Sequence, residues 1–153
     1  MTVPSPARDA ITGVPYPTSP FMKYLFKLPI LLYRMGLGPV IGRKIMILTT
    51  TGRKSGLPRR TAIEYNVHNG RKFIMAGWGG QSDWYKNLAA DPRVTIQTAD
   101  GAESAIAHRL TEDEELIDAY RFVENNPAMQ VWMKLLNAEI TREQFLAQRD
   151  QFY

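Results

Sequence analysis

The most chemically distinctive stretch of the chain runs from Thr49 to Gly56 and reads TTTGRKSG. It combines hydroxyl groups, two adjacent cations and two glycines, and it follows an apolar, β-branched segment that is typical of a strand. Glycine lets the backbone turn so that successive N–H groups converge. The Arg53 guanidinium is a fork that matches phosphate oxygens, and Lys54 adds a point charge. These residue types predict a binding site for an anion such as a phosphate.

The charges around this loop favour the same interpretation. No acidic residue stands between Asp9 and Glu64, whereas nine basic residues do. They are Lys23, Lys27, Arg34, Arg43, Lys44, Arg53, Lys54, Arg59 and Arg60. Because a surface of one sign attracts the opposite charge, this part of the chain is expected to meet an anionic partner. Arg59 and Arg60 begin the next predicted strand, so side-chain alternation directs one of them inward and the other to solvent.

Several other chemistries are disfavoured by the residue types. The loop lacks the GxxxxGK spacing of a Walker loop, and it runs into a predicted strand where that loop and a Rossmann fingerprint run into a helix. The chain contains no cysteine and only two histidines, His68 and His108, so no thiolate chemistry and no metal centre is expected. A hairpin turn with solvated charges remains the alternative from the residues alone.

The elements that must position this loop follow from the hydrophobic periodicity. Apolar residues recur at helical spacing over Phe21–Met35, and Asn69-Gly70 is a strong hairpin signal. A short helix is expected to begin at Ser82 or Asp83 and to end at Ala90, and helices follow from Thr111. Strands are expected over Lys44–Thr51, Arg59–Val67, Lys72–Gly77, Arg93–Thr98 and Ala102–Leu110.

This order of elements predicts an α+β fold. About five to six antiparallel strands, an N-terminal helix and C-terminal helices would form a small barrel, which removes exposed sheet edges. Residues 1–19 are rich in proline, serine and threonine, so we expect a flexible arm followed by a single domain over residues 20–153. The N-terminus lacks the apolar stretch of a secretion signal, and a cytoplasmic location is expected.

Three motifs in register resemble those of a known family. They are LTTTGRKSGLPR, AGWGG and DWYKNLAADPRV. This series resembles the deazaflavin-dependent nitroreductases, also called coenzyme F420-dependent quinone reductases, over roughly residues 44–110. The resemblance implies a split β-barrel, the fold also used by small FMN-binding oxidases. It further implies hydride transfer from reduced F420 to an electrophilic quinone, enone or nitro compound.

The resemblance also implies contacts with the cofactor, position by position. The residues that would hold its phosphate and acidic tail are Arg53, Lys54, Ser55 and Arg59. Those that would line the deazaflavin ring are Met75, Ala76, Gly77, Trp78 and Gly79. Trp84 and Asn87 would pack near the ring and donate a hydrogen bond, although Trp84 is equally well interpreted as a core anchor of its helix.

The electron acceptor is less well defined. Tyr65 and Tyr120 are candidate proton donors or substrate contacts, although tyrosine more often packs in a core or at its rim. Relatives often carry a serine where this chain has Gly77, and the helical tail replaces their tyrosine cluster. Its apolar residues are Met129, Val131, Trp132, Met133, Leu135, Leu136 and Phe145. A pocket lined by this tail would suit a quinone, an enone or a fatty-acyl chain better than a nitro compound, whereas core packing is the simpler interpretation.

Three alternatives remain at this level. The same barrel could use FMN, although FMN lacks the acidic tail that matches the basic run. The chain could bind a cofactor or lipid without catalysis, or it could contact an anionic membrane through the amphipathic segment Phe21–Met35. Nucleic-acid binding is disfavoured because aromatic residues are not interleaved with the basic run. Split barrels often pair, so a homodimer is a further hypothesis.

Overall fold

The computed structural model describes residues 20–76, 81–125, 127, 130 and 141–147. The predicted arm over residues 1–19 and the residues Gly77, Trp78 and Gly79 lie outside this described part. The helices within it are α1 (Pro20–Arg34), α2 (Gly38–Ile41), α3 (Asp83–Ala90), α4 (Asp113–Asn125) and α5 (Arg142–Ala147). The strands are β1 (Ile45–Thr51), β2 (Pro58–His68), β3 (Arg71–Ile74), β4 (Arg93–Thr98) and β5 (Gly101–Ile106).

The five strands form one curled antiparallel sheet in the order β3-β2-β1-β4-β5. β1 is central and pairs with β2 along its whole length, with Thr50 opposite Arg59. On its other side, Thr49 lies opposite Thr95 of β4. The predicted α+β class with antiparallel strands is thereby confirmed, and the curled sheet is a half-barrel with β3 and β5 at its edges.

Two strands are shorter than predicted. β5 was expected to reach Leu110 but ends at Ile106, which pairs with Arg93, the first residue of β4. Pro92 precedes Arg93 and has no N–H with which to extend the ladder, although its carbonyl accepts a hydrogen bond from Ala107 N. β3 ends at Ile74, short of the predicted Gly77.

One face of the sheet packs against α3 and forms the main core. Side chains at alternate positions of β1 and β4 point to this face, as the period of a strand requires. The buried cluster consists of Met46, Leu48, Tyr65, Ala76, Trp84, Leu88, Val94 and Ile96. Because full burial of a large apolar side chain contributes about 1.5–3 kcal/mol, this cluster fixes α3 across the sheet near the end of β1.

A smaller cluster forms where α4 meets β3. Leu110 and Leu116 are buried there, and Phe73, Met75 and Tyr120 pack against them. Met75 and Ala76 are neighbours in sequence but point to different clusters, because successive side chains of an extended chain face opposite sides.

Helix α1 is joined to the sheet by a buried tyrosine. The Tyr33 hydroxyl donates to the carbonyls of Ile45 (2.7 Å) and Gln97 (3.2 Å). Burial, with a smaller contribution from nearby Tyr65, raises the pKa of Tyr33 above its ordinary value. A Cβ at Gly42 would collide with the Tyr33 hydroxyl and with Ala99 N, which shows how closely the chain packs at this junction.

Candidate functional site

The loop predicted to bind an anion joins β1 to β2 as residues 52–57 and is closed by its own backbone. Gly52 N donates to the Leu57 carbonyl (2.8 Å), and the Gly52 carbonyl accepts from Gly56 N (2.7 Å) and Ser55 N (3.1 Å). Gly56 has φ +66°, a left-handed conformation that favours glycine. A Cβ at Gly52 would lie 2.7 Å from Ser55 Oγ. Both glycines are therefore required by the shape of the loop.

Helix α3 holds this loop through the side chain of Asn87. Its Oδ1 accepts from Arg53 N (3.2 Å) and from Arg53 Nη1 (3.1 Å), and its Nδ2 donates to Thr50 Oγ1 (3.0 Å). Asn87 and Thr50 are both buried, so the bond between them is shielded from water, whereas the two bonds from Arg53 are part-buried. A single amide thus links the end of β1, the loop and α3. In this arrangement Asn87 acts as an anchor for the loop.

The Arg53 side chain is also held by a carboxylate at the start of α3. Both Nη1 and Nη2 donate to Asp83 Oδ1 at 3.0 Å. The Arg53 side chain is 27% exposed, whereas that of Asp83 is 79% exposed. The first cation of the loop therefore lies against α3 with its charge partly neutralised.

The other cations of the loop have no carboxylate partner in the described part of the chain. Lys54 and Arg59 are both exposed, and neither forms an ion pair there. Arg59 Nη2 donates to Ser55 Oγ (3.3 Å), and that oxygen also accepts from Leu57 N (3.3 Å). Arg59 shares a sheet face with Thr50, its partner in the ladder, so it is Arg59 that returns to the loop. The predicted residues Arg53, Lys54, Ser55, Arg59 and Asn87 are thus brought together.

The opposite face of the sheet carries an open groove of about 570 Å³ that reaches the loop at Gly56 and Pro58. Hydroxyl groups from three strands line it, together with Arg93 and Ile106. The hydroxyl groups belong to Thr49, Thr51, Thr95 and Ser104, whereas Thr50 borders the groove but has its hydroxyl bonded to Asn87 on the other face. The groove therefore reaches the loop from the face opposite α3.

The predicted ring-lining residues are described only in part. Met75 is half-buried against α4, and Ala76 is buried beside Trp84 in the main core. Trp84 is 8% exposed and makes an edge-to-face contact with Tyr85, with ring centroids 6.1 Å apart. The alternative interpretation of Trp84 as a core anchor agrees with this position. Gly77, Trp78 and Gly79 lie in the undescribed stretch between these residues.

The two candidate tyrosines lie in different places. The Tyr65 hydroxyl is buried and donates to the Gly42 carbonyl at 2.7 Å, and Tyr65 stands six positions along β2 from Arg59, about 20 Å away. Tyr120, on α4, packs in the same cluster as Met75. Each tyrosine shares a cluster with one predicted ring-lining residue, Tyr65 with Ala76 and Tyr120 with Met75. Among the residues that the structure describes, no group of three metal-ligating side chains was found.

Two residues of the site were not singled out from the sequence. Thr50 was counted only as one hydroxyl of the loop, and Asp83 only as a helix cap. In α3 the positions of Asp83 and Asn87 differ by four, which places them on one face of the helix. That spacing is a signal that could have identified a polar face directed at the loop.

A half-barrel sheet with an anchored cationic loop defines a split-barrel protein that binds an anionic cofactor. The family described as F420H(2)-dependent quinone reductase matches residues 34–141, which is more than half of the chain. The chain belongs to this family. It is therefore an oxidoreductase that uses reduced coenzyme F420, as the motif resemblance implied.

Two solved structures are similar to this chain. One is described as an F420-H2 dependent reductase, FDR-A; it is 30% identical, with a TM-score of 0.48, and the match covers 60% of this chain and 84% of that one. The other is described as a domain-swapped dimer; it is 27% identical, with a TM-score of 0.51, and the match covers 76% of this chain and 91% of that one.

Proposed function

We propose that Lys54 and Arg59 bind the phosphate and acidic tail of F420, on a loop that Asn87 and Arg53 hold in place. This proposal rests on a difference between Arg53 and the two other cations of the site. Arg53 is tied to α3, whereas the two other cations are exposed and have no carboxylate partner in the described part of the chain. A polyanionic ligand compensates such charges, and charge-assisted hydrogen bonds to phosphate are the strong ones. The Ser55 hydroxyl, which accepts from Arg59, orients that guanidinium.

The proposed ring site lies where β3 leads towards α3. Met75 would contribute its side chain, and Ala76, whose side chain is buried with Trp84 in the main core, would contribute its backbone. The motif resemblance adds Gly77, Trp78 and Gly79 as proposed contacts. When bound, the deazaflavin supplies the hydride, and the protein orients the reacting partners and excludes water. The apolar residues around Met75 serve this exclusion, because they remove polar groups that would hold water near the acceptor.

The acceptor that we propose is an apolar quinone or enone. The cluster that contains Met75 also contains Leu110, Leu116 and Tyr120, so an acceptor beside the ring would meet apolar side chains and one phenol. Tyr120 can donate a hydrogen bond to a carbonyl oxygen and stabilise the negative charge that develops there. A nitro compound would be a poorer match to these surroundings. The Tyr65 hydroxyl already donates to the Gly42 carbonyl in the core, which disfavours Tyr65 as a proton donor to the acceptor.

The cofactor site is tested by titrating the protein with F420 and, separately, with FMN, following fluorescence. Changing Lys54 and Arg59 together to alanine is expected to weaken F420 binding at least about tenfold for each cation. The matched control changes Arg71 and Lys72, two cations beside the Asn69-Gly70 turn, and should leave the affinity unchanged. If both double variants lose the same affinity, only the net charge matters. Tight binding of FMN in place of F420 would support the FMN alternative.

The acceptor site is tested with the variant Tyr120→Phe in steady-state assays with quinones, enones and nitro compounds. We expect kcat with quinones to fall several-fold while the affinity for F420 stays unchanged, because the phenol contacts the acceptor and not the cofactor tail. Unchanged kcat with every acceptor would remove Tyr120 from the mechanism. If the wild type has a higher kcat/KM for nitro compounds than for quinones, the proposed acceptor class is contradicted.

We also propose that the protein contacts an anionic membrane and meets its electron acceptor there. α1 and the residue that follows it expose five large apolar side chains at spacings of three and four, and the cations Lys27 and Arg34 are exposed beside them. The five are Phe21, Tyr24, Leu28, Leu31 and Met35. At 100° per residue they fall within an arc of about 80°, which is an apolar stripe. Within the described residues, no helix is long and apolar enough to span a bilayer.

This membrane contact is tested by sedimentation with vesicles of phosphatidylglycerol or of phosphatidylcholine. We expect binding to the anionic vesicles that weakens in high salt and is lost when Leu28 and Leu31 are both changed to glutamate. Val67→Glu, at an exposed apolar position of β2, serves as the control. Equal binding of the wild type and the Leu28/Leu31 variant would exclude the stripe as the contact. No sedimentation of the wild type with either vesicle would exclude the membrane contact altogether.

We also propose that the protein forms a homodimer. The support is the relative described as a domain-swapped dimer, whose match covers 91% of its own chain. Sheet edges such as β5 also tend to pair with another chain when nothing covers them. Light scattering after gel filtration should give twice the mass of 17.4 kDa, and a mass of one chain at micromolar concentration would contradict the proposal.

A further inference from the structure

The Arg53 guanidinium is occupied by a carboxylate of its own chain. Two of its nitrogens donate to one oxygen of Asp83 at 3.0 Å. In the described part of the chain, Asp83 is the only carboxylate within ion-pair distance of a cation of the loop. It follows a stretch of sequence without acids, so a negative charge at this place is an exception to the local charge pattern.

The two anchors of Arg53 differ in how easily they can be exchanged. Asn87 is buried and accepts a part-buried hydrogen bond from the Arg53 backbone N–H, so this bond holds the loop independently of the guanidinium. The Asp83 carboxylate is mostly exposed, and such an ion pair in water is weak, because solvent screens it. A phosphate oxygen makes the same kind of bond to guanidinium as a carboxylate oxygen does, and a polyanionic cofactor as a whole carries more negative charge than one carboxylate. Asp83 can therefore leave Arg53 without release of the loop.

We propose that Asp83 is a positioning residue that competes with the cofactor for Arg53. It holds the guanidinium beside the site and lowers the affinity of the loop for anions, until an anion of higher charge displaces it. This inference rests on the proposed binding of the F420 phosphate and tail at this loop. It predicts that removal of a native ion pair strengthens ligand binding, which a merely structural role of Asp83 would not do.

The test compares Asp83→Asn with the wild type in fluorescence titrations of F420, and of FMN, over a range of salt concentrations. The asparagine keeps the size of the side chain but lacks the charge. We expect F420 to bind about two- to fivefold more tightly, with a steeper dependence on salt, because Arg53 becomes available. Asp91→Asn is the matched control, since Asp91 pairs with Arg93 at the other end of α3 and the net charge changes equally. That control should leave the affinity unchanged.

A second background distinguishes competition through Arg53 from direct repulsion of the ligand by Asp83. In an Arg53→Ala protein, the Asp83→Asn change is expected to have no further effect on affinity. The inference is overturned if the gain persists in that background, if Asp91→Asn gives the same gain, or if Asp83→Asn weakens binding. If the wild type binds FMN and not F420, the F420 site fails, and the same comparison with FMN still decides the role of Asp83. Binding of neither ligand overturns both proposals.

Discussion

Two connections between antiparallel strands of this sheet differ in length and in how they are held in place. The turn between β2 and β3 consists of Asn69 and Gly70, both with positive φ, and simply reverses the chain. The connection between β1 and β2 spans residues 52–57 and is tied to α3 by Asn87. Cations lie beside both connections. Arg71 and Lys72 are ion-paired with Glu115 and Glu103, respectively, across neighbouring elements.

These two connections show how a binding loop can be distinguished from a turn. A turn needs only the backbone conformations that reverse the chain, and its cations find partners within the protein. The longer connection uses buried hydrogen bonds to fix its backbone, while Lys54 and Arg59 remain without carboxylate partners in the described part of the chain. Exposed, uncompensated charge on a rigidly held backbone is what a site for a polyanion requires.

The largest difference between the two connections is expected when Asn87, the anchor of the longer one, is removed. Asn87→Ala leaves the buried Thr50 hydroxyl and the Arg53 N–H without their partner, so we expect a loss of about 2–4 kcal/mol in the free energy of unfolding. F420 binding should weaken at the same time. The corresponding change at the simple turn, Asn69→Gly, should alter stability by less than about 0.5 kcal/mol and leave binding unchanged. Urea unfolding and fluorescence titration measure the two effects.

The Asn87 experiment can also show that the amide does not anchor the loop. If Asn87→Ala unfolds at the same urea concentration as the wild type, the amide does not hold the loop. The milder variant Asn87→Asp keeps the oxygen that accepts from Arg53, and it should retain more of the binding than the alanine variant does. Equal losses in the two variants would mean that the contact with Arg53 contributes little.

A smaller effect is expected from the matched substitutions Gly52→Ala and Gly70→Ala. At Gly52 the new Cβ would lie 2.7 Å from Ser55 Oγ and 3.1 Å from the Leu57 carbonyl, so the Ser55 side chain must turn away and the backbone at Leu57 must move slightly. At Gly70 the space is open, and the cost of about 1 kcal/mol comes from the φ of +74°. We expect both variants to be destabilised by about 1–2 kcal/mol. Only Gly52→Ala should weaken F420 binding, and an equal weakening in both variants would contradict the comparison.

The local chemistry of both connections could be predicted from the sequence. Asn69-Gly70 is a short-range signal, and the composition of TTTGRKSG indicates an anion site without knowledge of the fold. The family resemblance then correctly implied the cofactor class. The role of Asn87 could not be derived in this way, because its hydrogen bond to Thr50 spans 37 positions of the sequence. Periodicity describes which face of an element is polar but not what that face meets.

The same limit explains the wrong end of β5. The segment up to Leu110 was predicted as the hairpin partner of β4, yet the ladder stops where β4 begins at Arg93. A strand exists only where a neighbour offers hydrogen bonds, and that is a property of the pair. The five exposed apolar residues of α1 are a related case, since an amphipathic pattern predicts a face that needs a partner without naming the partner.

The smallest effect on stability is expected from Asp91, which pairs with a residue close to it in sequence and does not hold the loop. Hydrogen bonds from the Arg93 side chain and backbone hold the pKa of Asp91 at about 2, below its ordinary value of 3.8. A carboxyl whose pKa is lower in the folded state contributes stability above about pH 4, and this contribution is lost as the pH falls to about 2. Asp91→Asn should therefore unfold at slightly lower urea than the wild type at pH 5, and at the same urea near pH 2. F420 affinity should not change, because this pair lies two residues apart in sequence and touches no loop cation. A difference in the urea midpoint that is independent of pH would show that the Asp91–Arg93 pair is not its source.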